Sequence, residues 1–269
     1  MFIFLFSFLP SLIDSSIIYH QGEVIDEKGF ETLLKSAQVV FVGEKHDDPF
    51  AHKWELEILK ALHSSGKYAL CMEMFEKDVQ NVLDNYLNGK ISEEEFLKNS
   101  RPWPNYKTDY RPMVEYAKTE GIPVVASNIP RKEASLIARG GEAVLDSITK
   151  FSPYAHVKVF TDDTLYRKRF FRTVEALKKS RMKKASIMKE RFYLAQCLKD
   201  GVMAHSIMEW LDKGYNVLHV NGSFHSDYHT GIVYQLKKQR PDLKILTIRV
   251  LAPEEEMDKD AADIIIRRK

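Results

Sequence analysis

Short apolar runs alternate along this chain with longer segments in which apolar residues recur every three or four positions. The runs predict strands at 39–42, 68–72, 123–126, 216–220, 244–250 and 263–266, and the spacing predicts helices over 48–64, 109–119 and 230–238. The turn at Gly22 predicts an additional edge hairpin. Strands that are apolar throughout and separated by helices favour an α/β fold with a largely parallel (mixed) central sheet covered by helices.

A long helical segment, 166–211, interrupts this alternation. One stripe is mostly apolar, yet residues 167–191 contain eleven Lys or Arg and only two acids, Glu175 and Glu190. The plain interpretation is a solvated face on a helical insertion covering about residues 131–213. The alternatives are a membrane-surface contact and a surface for anionic ligand groups.

Length and charge narrow the class of protein. A chain of 269 residues with 44% hydrophobic and 29% charged residues suits a single domain, which we place at 17–269. The net charge of +2 gives no indication of nucleic-acid binding. Two cysteines cannot form a disulfide framework, and Cys71, within an apolar run, predicts a buried thiol.

The amino terminus, residues 1–16, resembles an export signal. Its apolar core, 2–13, has the length of a signal-peptide core and is too short to span a bilayer. No Lys or Arg precedes it, and no lipid-attachment cysteine follows it. We therefore expect export to the periplasm or cell envelope, against the alternatives of a start-site artefact, an interfacial anchor or a cytoplasmic protein.

Polar residues follow the predicted strands, at the edge where ligands bind in parallel sheets. They are Glu44 and His46, then Glu73 with Glu76, then Arg131, then His225 with His229. Carboxylates and imidazoles in one crevice bind a divalent metal or perform acid–base chemistry, and the candidate metal ligands are His46, Glu73 and His225.

Neighbouring polar residues have structural explanations. Asp47 or Asp48 ahead of Pro49 is typical of a helix N-terminus, and His52 is expected to face outward from that helix. The chain contains no GxGxxG, GxxxxGK, HExxH or GxSxG motif, so a nucleotide enzyme or a serine hydrolase is disfavoured.

Five blocks resemble, in order, the ChaN-like family of haem-binding uptake proteins. They are VGEKHDDPFAH, MEMFEKDVQNVLDNYLNGKISEEEF, WPNYKTDYRPMVEYAKTEGIPVVASNIPR, AQCLKDGVMAHSI and NGSFHSDYHTGIVYQL, within about residues 22–266. The family lies in the Tiki superfamily, with erythromycin-esterase-like and TraB-like relatives. The resemblance implies a mixed-sheet α/β fold with helical insertions, and haem binding for iron uptake.

The resemblance also assigns site residues. Gly43, Glu44 and His46 match its GxxH element, Glu73 its strand-end acid and His225 its late histidine, while Arg131 lies in its NxPR-like block. Haem needs apolar walls, a cation for its propionates and an axial ligand. The residues available as ligands include Tyr110, His205, Tyr228 and His229.

Three functional hypotheses follow. The first is an exported haem-binding protein, for which we predict a homodimer that encloses its ligand. The second is a metal-dependent hydrolase of esterase or peptidase type, with Glu44 or His46 as base and Arg131 stabilising negative charge. The third is a peripheral interaction protein that uses the basic segment 167–191. Enzymatic activity stays open at this point.

Overall fold

The computed structural model describes residues 8–177 and 185–269. Within these residues one sheet has the strand order β2-β1-β8-β7-β3-β6-β4-β5. The six strands from β8 to β5 are parallel to their neighbours, whereas β1 pairs antiparallel with β2 and β8. The strands are β1 Ser16–His20, β2 Glu23–Val24, β3 Val39–Glu44, β4 Tyr68–Glu76, β5 Val124–Asn128, β6 Asn216–Gly222, β7 Ile245–Val250 and β8 Ile264–Arg268.

Helices cover this sheet, which confirms the predicted α/β class. The first six are α1 Pro10–Asp14, α2 Glu27–Ser36, α3 Pro49–Ser65, α4 Gln80–Leu87, α5 Glu93–Ser100 and α6 Arg111–Glu120. The remainder are α7 Arg131–Gly140, α8 Glu142–Phe151, α9 Thr164–Leu177, α10 Ala185–Asp212 and α11 Ile232–Gln239. A π-helical turn, Tyr106–Tyr110, precedes α6, and the 3₁₀ turns Ser223–His225 and Asp227–His229 follow β6.

Local sequence explains the main boundaries. Pro49 begins α3, and the Asp48 carboxylate accepts a hydrogen bond from the Phe50 N–H at 3.0 Å, so the predicted helix start is confirmed. β4 is longer than predicted, because the apolar pattern resumes at Met74 and Phe75 beyond Glu73. Glu73 is consequently a buried strand residue.

The segment 166–211 forms α9 and α10 in the described residues, and 178–184 lie outside them. Several of its charges are paired: the Arg167 guanidinium binds the Glu190 carboxylate, and Lys189 Nζ lies 2.6 Å from Glu175 Oε1. Such pairing fits a solvated face, and a membrane contact through this segment stays a prediction.

The start of the described chain packs into the domain. The Phe8 ring lies 5.3 Å from the Phe30 ring and 5.6 Å from the Trp54 ring, and Leu12 is buried beside them. Part of the predicted export signal therefore contributes to the core. No helix within the described residues has the length and apolar character needed to cross a lipid bilayer.

Candidate functional site

Three neighbouring parallel strands end at one edge of the sheet and bring the candidate residues together. In the register of β3 with β6, Glu44 lies opposite Gly222, and the 3₁₀ turn that follows β6 carries His225. β4 lies on the other side of β6 and carries Glu73. The charged side chains at this edge form two hydrogen-bonded networks.

The Glu73 network comprises Glu73, Asp200 and His225. Glu73 Oε2 accepts a hydrogen bond from the Gly222 N–H at 2.8 Å, and Glu73 Oε1 lies 3.2 Å from His225 Nε2. On its other side, His225 Nδ1 lies 2.5 Å from Asp200 Oδ1 of α10. The imidazole is thus held between two buried carboxylates, with Gln196 Nε2 also 3.2 Å from its Nε2.

Charge compensation keeps Glu73 and His225 ionised, whereas burial raises the pKa of Asp200. Burial disfavours the charged imidazole of His225, but attraction to Glu73 and Asp200 outweighs it and raises the pKa to about 10. Burial likewise opposes ionisation of Glu73, yet attraction to His225 lowers that pKa to about 2. Glu73 and His225 therefore form an ion pair at neutral pH.

The Glu44 network comprises Glu44, His46, His52, Glu55 and Tyr110. Glu44 Oε1 accepts hydrogen bonds from His46 Nδ1 at 2.8 Å and from the Tyr110 hydroxyl at 2.7 Å. Behind it, His52 Nδ1 lies 3.0 Å from Glu44 Oε2 and 3.1 Å from Glu55 Oε2. His46 stacks edge-on against Trp103 and leaves about half of its side chain exposed.

The two carboxyl groups of this network titrate very differently. Burial opposes the ionised form of Glu44, but a hydrogen bond from His46 and attraction to His52 outweigh it and lower the pKa to about 2. Burial and the nearby negative charge of Glu44 raise the pKa of Glu55 well above its usual range. Hydrogen bonding to Glu44 also raises the pKa of His46 against the effect of burial. His46 is the exposed group that Glu44 orients.

Gly222 lies between the two networks, and because it has no side chain, His46 and Glu73 can approach each other closely. A Cβ at this position would lie 2.6 Å from His46 Cε1, 2.8 Å from His46 Nε2 and 3.6 Å from Glu73 Oε2. His46 and Glu73 therefore converge across the Gly222 backbone, as the strand-end pattern predicts. What these residues do chemically stays a prediction.

Two positions differ from expectation. His52 does not face outward: it is 6% exposed and contacts Glu44 and Glu55, because α3 also packs against α6 and the π-helical turn. Arg131 does not join the crevice: its side chain is 81% exposed at the start of α7, with Nε 4.0 Å from Glu76 Oε1.

The candidate haem ligands are dispersed. Tyr110 is fully buried and donates its hydroxyl hydrogen bond to Glu44, so its side chain does not reach the surface. The Tyr228 hydroxyl donates to Asp258 at 2.7 Å, and His229 Nε2 lies 3.1 Å from Asp263 Oδ2. His205, on α10, lies 3.8 Å from Glu209, and burial lowers its pKa.

Sequence reasoning missed Asp200, Glu55 and His52 as network members. Asp200 follows Gln196 by four positions and precedes Met203 by three, so it lies on the buried stripe of α10. An acidic residue on an apolar stripe is costly unless paired, which is the signal that could have found it. Glu55 lies beside Trp54 on α3 and shows no comparable pattern.

A model of the haem-binding uptake family of the Tiki superfamily, ChaN, matches residues 32–236. This chain belongs to that family. Among solved structures, ChaN of Campylobacter jejuni, described with cofacial haem binding, has a TM-score of 0.76 and 20% identity, with 94% of this chain and 97% of that chain covered. At that identity the likeness shows the fold.

Two further structures share the fold more distantly. A Bacillus cereus protein has a TM-score of 0.54 at 13% identity, covering 89% of this chain and 90% of its own. An erythromycin esterase in its open conformation has a TM-score of 0.51 at 14% identity, covering 84% and 73%.

A curated relative is RETICULATA-RELATED 5, a chloroplastic protein of Arabidopsis thaliana. It is 27% identical over 115 residues, or 40% of this chain. The match spans only 16% of that relative's length.

Proposed function

We propose that this protein binds haem and takes part in haem or iron uptake. Membership of the haem-binding ChaN family is the observation that carries the proposal. The cofacial haem binding described for the Campylobacter protein, whose fold this chain shares, supports it.

A surface cavity of about 690 Å³ supports this proposal with suitable chemistry. Arg131, Lys132 and Arg139 supply cations for carboxylates, and Pro130 and the half-exposed Leu136 supply apolar wall. Two carboxylates, Glu76 and Asp78, also line the cavity and are paired with Arg101. Haem carries two propionates on a flat apolar ring, so it needs both kinds of contact. The two charged networks are buried, and we place haem outside them.

The axial ligand is proposed to be His205, Tyr228 or His229. Burial of His205 favours its neutral imidazole, the form that binds iron. Tyr228 and His229 have φ angles of 58° and 55°, a left-handed conformation that is uncommon outside glycine and concentrates at functional sites. We propose that a second copy of the chain brings one of these donors to the cavity, in the predicted homodimer.

Hemin titration of the purified protein tests the proposal. We expect a saturable Soret shift, a changed band position in one of His205→Ala, Tyr228→Phe or His229→Ala, and weaker binding in Arg131→Ala. Arg240→Ala is the matched control, because Arg240 lies beyond α11 and pairs with Asp212. A spectrum without saturable change, or three ligand variants identical to wild type, would contradict it.

Export stays part of the proposal on the strength of the apolar segment 2–13. Cleavage after that segment would remove Phe8 and Leu12 from their contacts with Phe30 and Trp54. Amino-terminal sequencing of the protein recovered from the cell envelope tests this. A chain found only in the cytoplasm would contradict export.

We propose hydrolysis as a second candidate function, favoured by the crevice itself. His46 is oriented by Glu44 and half exposed, as a general base must be, and the Gly222 backbone separates it from Glu73. A panel of ester and peptide substrates tests this, with His46→Ala expected to remove turnover. Equal turnover by wild type and His46→Ala would exclude the mechanism.

A further inference from the structure

Three buried side chains behind the crevice are arranged as a metal site. Glu44, His52 and Glu55 are 2%, 6% and 0% exposed, and each presents a ligand atom within 4.8 Å of the other two. No other such group of three occurs among the residues that the structure describes. In particular, this group shares no member with the set His46, Glu73 and His225.

The hydrogen bonding of this group is incomplete. His52 Nδ1 carries at most one hydrogen, yet it lies 3.0 Å from Glu44 Oε2 and 3.1 Å from Glu55 Oε2. The hydrogen bond is formed with Glu55, and Glu44 Oε2 has no hydrogen-bond partner. Glu55 Oε1, also fully buried, has none either. Buried carboxylate oxygens without hydrogen-bond partners are costly, and a bound metal ion would give both of them a partner.

The surroundings hold the three ligands as a metal site requires. His52 Nε2 lies 3.3 Å from the His46 carbonyl oxygen, and in the neutral tautomer that donates Nε2–H to that carbonyl, Nδ1 gives up its hydrogen bond to Glu55 and can bind a cation. Metal-binding histidines are usually oriented in this way through their second nitrogen. The Tyr110 hydroxyl fixes Glu44 through its other oxygen, at 2.7 Å.

The separations between the ligand atoms and the total charge of the three ligands suit a divalent ion. Zinc bonds of about 2.0–2.2 Å to nitrogen and oxygen place tetrahedral ligand atoms about 3.3–3.6 Å apart, so the separations of 3.0 and 3.1 Å around Nδ1 would need to widen by a few tenths of an ångström. Metal binding would displace the protons of Glu55 and His52, and the resulting two carboxylates and neutral imidazole carry a charge of −2, which one divalent cation neutralises. Imidazole suits zinc and carboxylate suits manganese, so both are candidates.

We propose that Glu44, His52 and Glu55 bind one divalent transition-metal ion, zinc or manganese, behind the crevice. The site does not depend on haem binding. Through Glu44 Oε1 the ion would be linked to His46 Nδ1. It would therefore set the orientation of the crevice's exposed imidazole.

Isothermal titration calorimetry of the chelator-treated full chain, with Zn²⁺ and separately with Mn²⁺, tests the site. We expect one equivalent of at least one ion to bind, and Glu55→Gln to weaken binding on the order of 100-fold or more, since it removes a ligand. Glu57→Gln is the matched control, because Glu57 is also a buried glutamate of α3 but pairs with Lys60. Circular dichroism verifies folding of both variants.

X-ray absorption of the zinc-loaded wild-type protein counts the imidazole ligands of the bound ion and needs no variant. The proposed ligands contribute one imidazole, whereas His46, Glu73 and His225 would contribute two. One imidazole with oxygen ligands supports the site. Two imidazoles, no stoichiometric binding of either ion, or loss of binding in Glu73→Gln but not in Glu55→Gln would overturn it.

Discussion

The Glu73 and Glu44 networks lie on opposite sides of Gly222, and they differ in how completely their buried carboxylates are hydrogen-bonded. Glu73 has partners for both oxygens: the Gly222 N–H and the His225 imidazole. Glu44 and Glu55 share one imidazole, and each keeps an oxygen without a hydrogen-bond partner, whereas in the Glu73 network the only such oxygen among the described residues is Asp200 Oδ2. Both oxygens of the Glu73 carboxylate therefore have partners within the protein, while the Glu44 network has two unpartnered oxygens close to one imidazole.

This difference gives the two histidines different roles: His225 supports the fold, and His46 is accessible from solvent. The imidazole of His225 is buried between two carboxylates, so its charge contributes to holding β4, α10 and the turn after β6 together. His46 has a single carboxylate partner in hydrogen-bonding distance and a half-exposed ring. We therefore expect substitutions at His225 to affect mainly stability, and substitutions at His46 to affect mainly chemistry.

The largest expected effect is that of His225→Ala. Removing the cation leaves Glu73 and Asp200 buried beside each other without compensation, which costs about 3–5 kcal/mol of unfolding free energy. Urea unfolding measures the change. His229→Ala is the control, because its imidazole is half exposed and its loss should cost about 0.5 kcal/mol or less. If His225→Ala lowered the unfolding free energy by less than about 1 kcal/mol, His225 would not have the stabilising role that distinguishes the Glu73 network.

The pH dependence of stability follows from the same imidazole. The pKa of His225 is raised from 6.5 to about 10, so its stabilising contribution is complete below pH 6.5 and declines as the pH rises toward 10. The stability difference between wild type and His225→Gln should therefore shrink between pH 6 and pH 9.5. Urea unfolding at both pH values provides the test. A constant difference would show that the imidazole is not charged in the folded protein.

A smaller effect is expected from Gly222→Ala, which tests how closely the networks approach. The new methyl group would lie 2.6 Å from His46 Cε1, and displacing that ring should cost about 1–3 kcal/mol. In a His46→Ala background the same substitution should cost much less. A double-mutant cycle with a coupling energy near zero would show that His46 does not occupy this position.

The smallest effect on stability is expected for Arg131→Ala. The guanidinium is mostly exposed and 4.0 Å from Glu76, so its loss should change the unfolding free energy by about 0.5 kcal/mol or less. Hemin affinity, by contrast, should fall several-fold if Arg131 binds a propionate. If Arg131→Ala lost stability but retained its hemin affinity, Arg131 would be a structural residue and not a propionate ligand.

The sequence predicted the edge of the sheet well because strand ends carry local signals. Glu44, Glu73 and His225 each lie close to the end of an apolar run, and parallel strands bring such positions to one edge. Family blocks in the same positions agreed with that pattern. The first and second predicted strands required only extension at their carboxyl ends.

Helix orientation was harder to predict. His52 was placed outward from one apolar stripe, but α3 contacts α2, α6 and the π-helical turn as well as the sheet, so its buried arc is wider than that stripe. Arg131 follows β5 closely in sequence, yet the first turn of α7 directs its side chain to solvent. Both outcomes depend on how helices pack, which spacing alone does not specify.

Hemin titration of wild type and of Glu73→Gln, followed at the Soret band, tests the central claim most directly. The claim is that this protein binds haem outside its buried networks. It predicts a saturable shift in both proteins with the same Kd. No saturable shift in wild type, or its loss in a correctly folded Glu73→Gln, would contradict it.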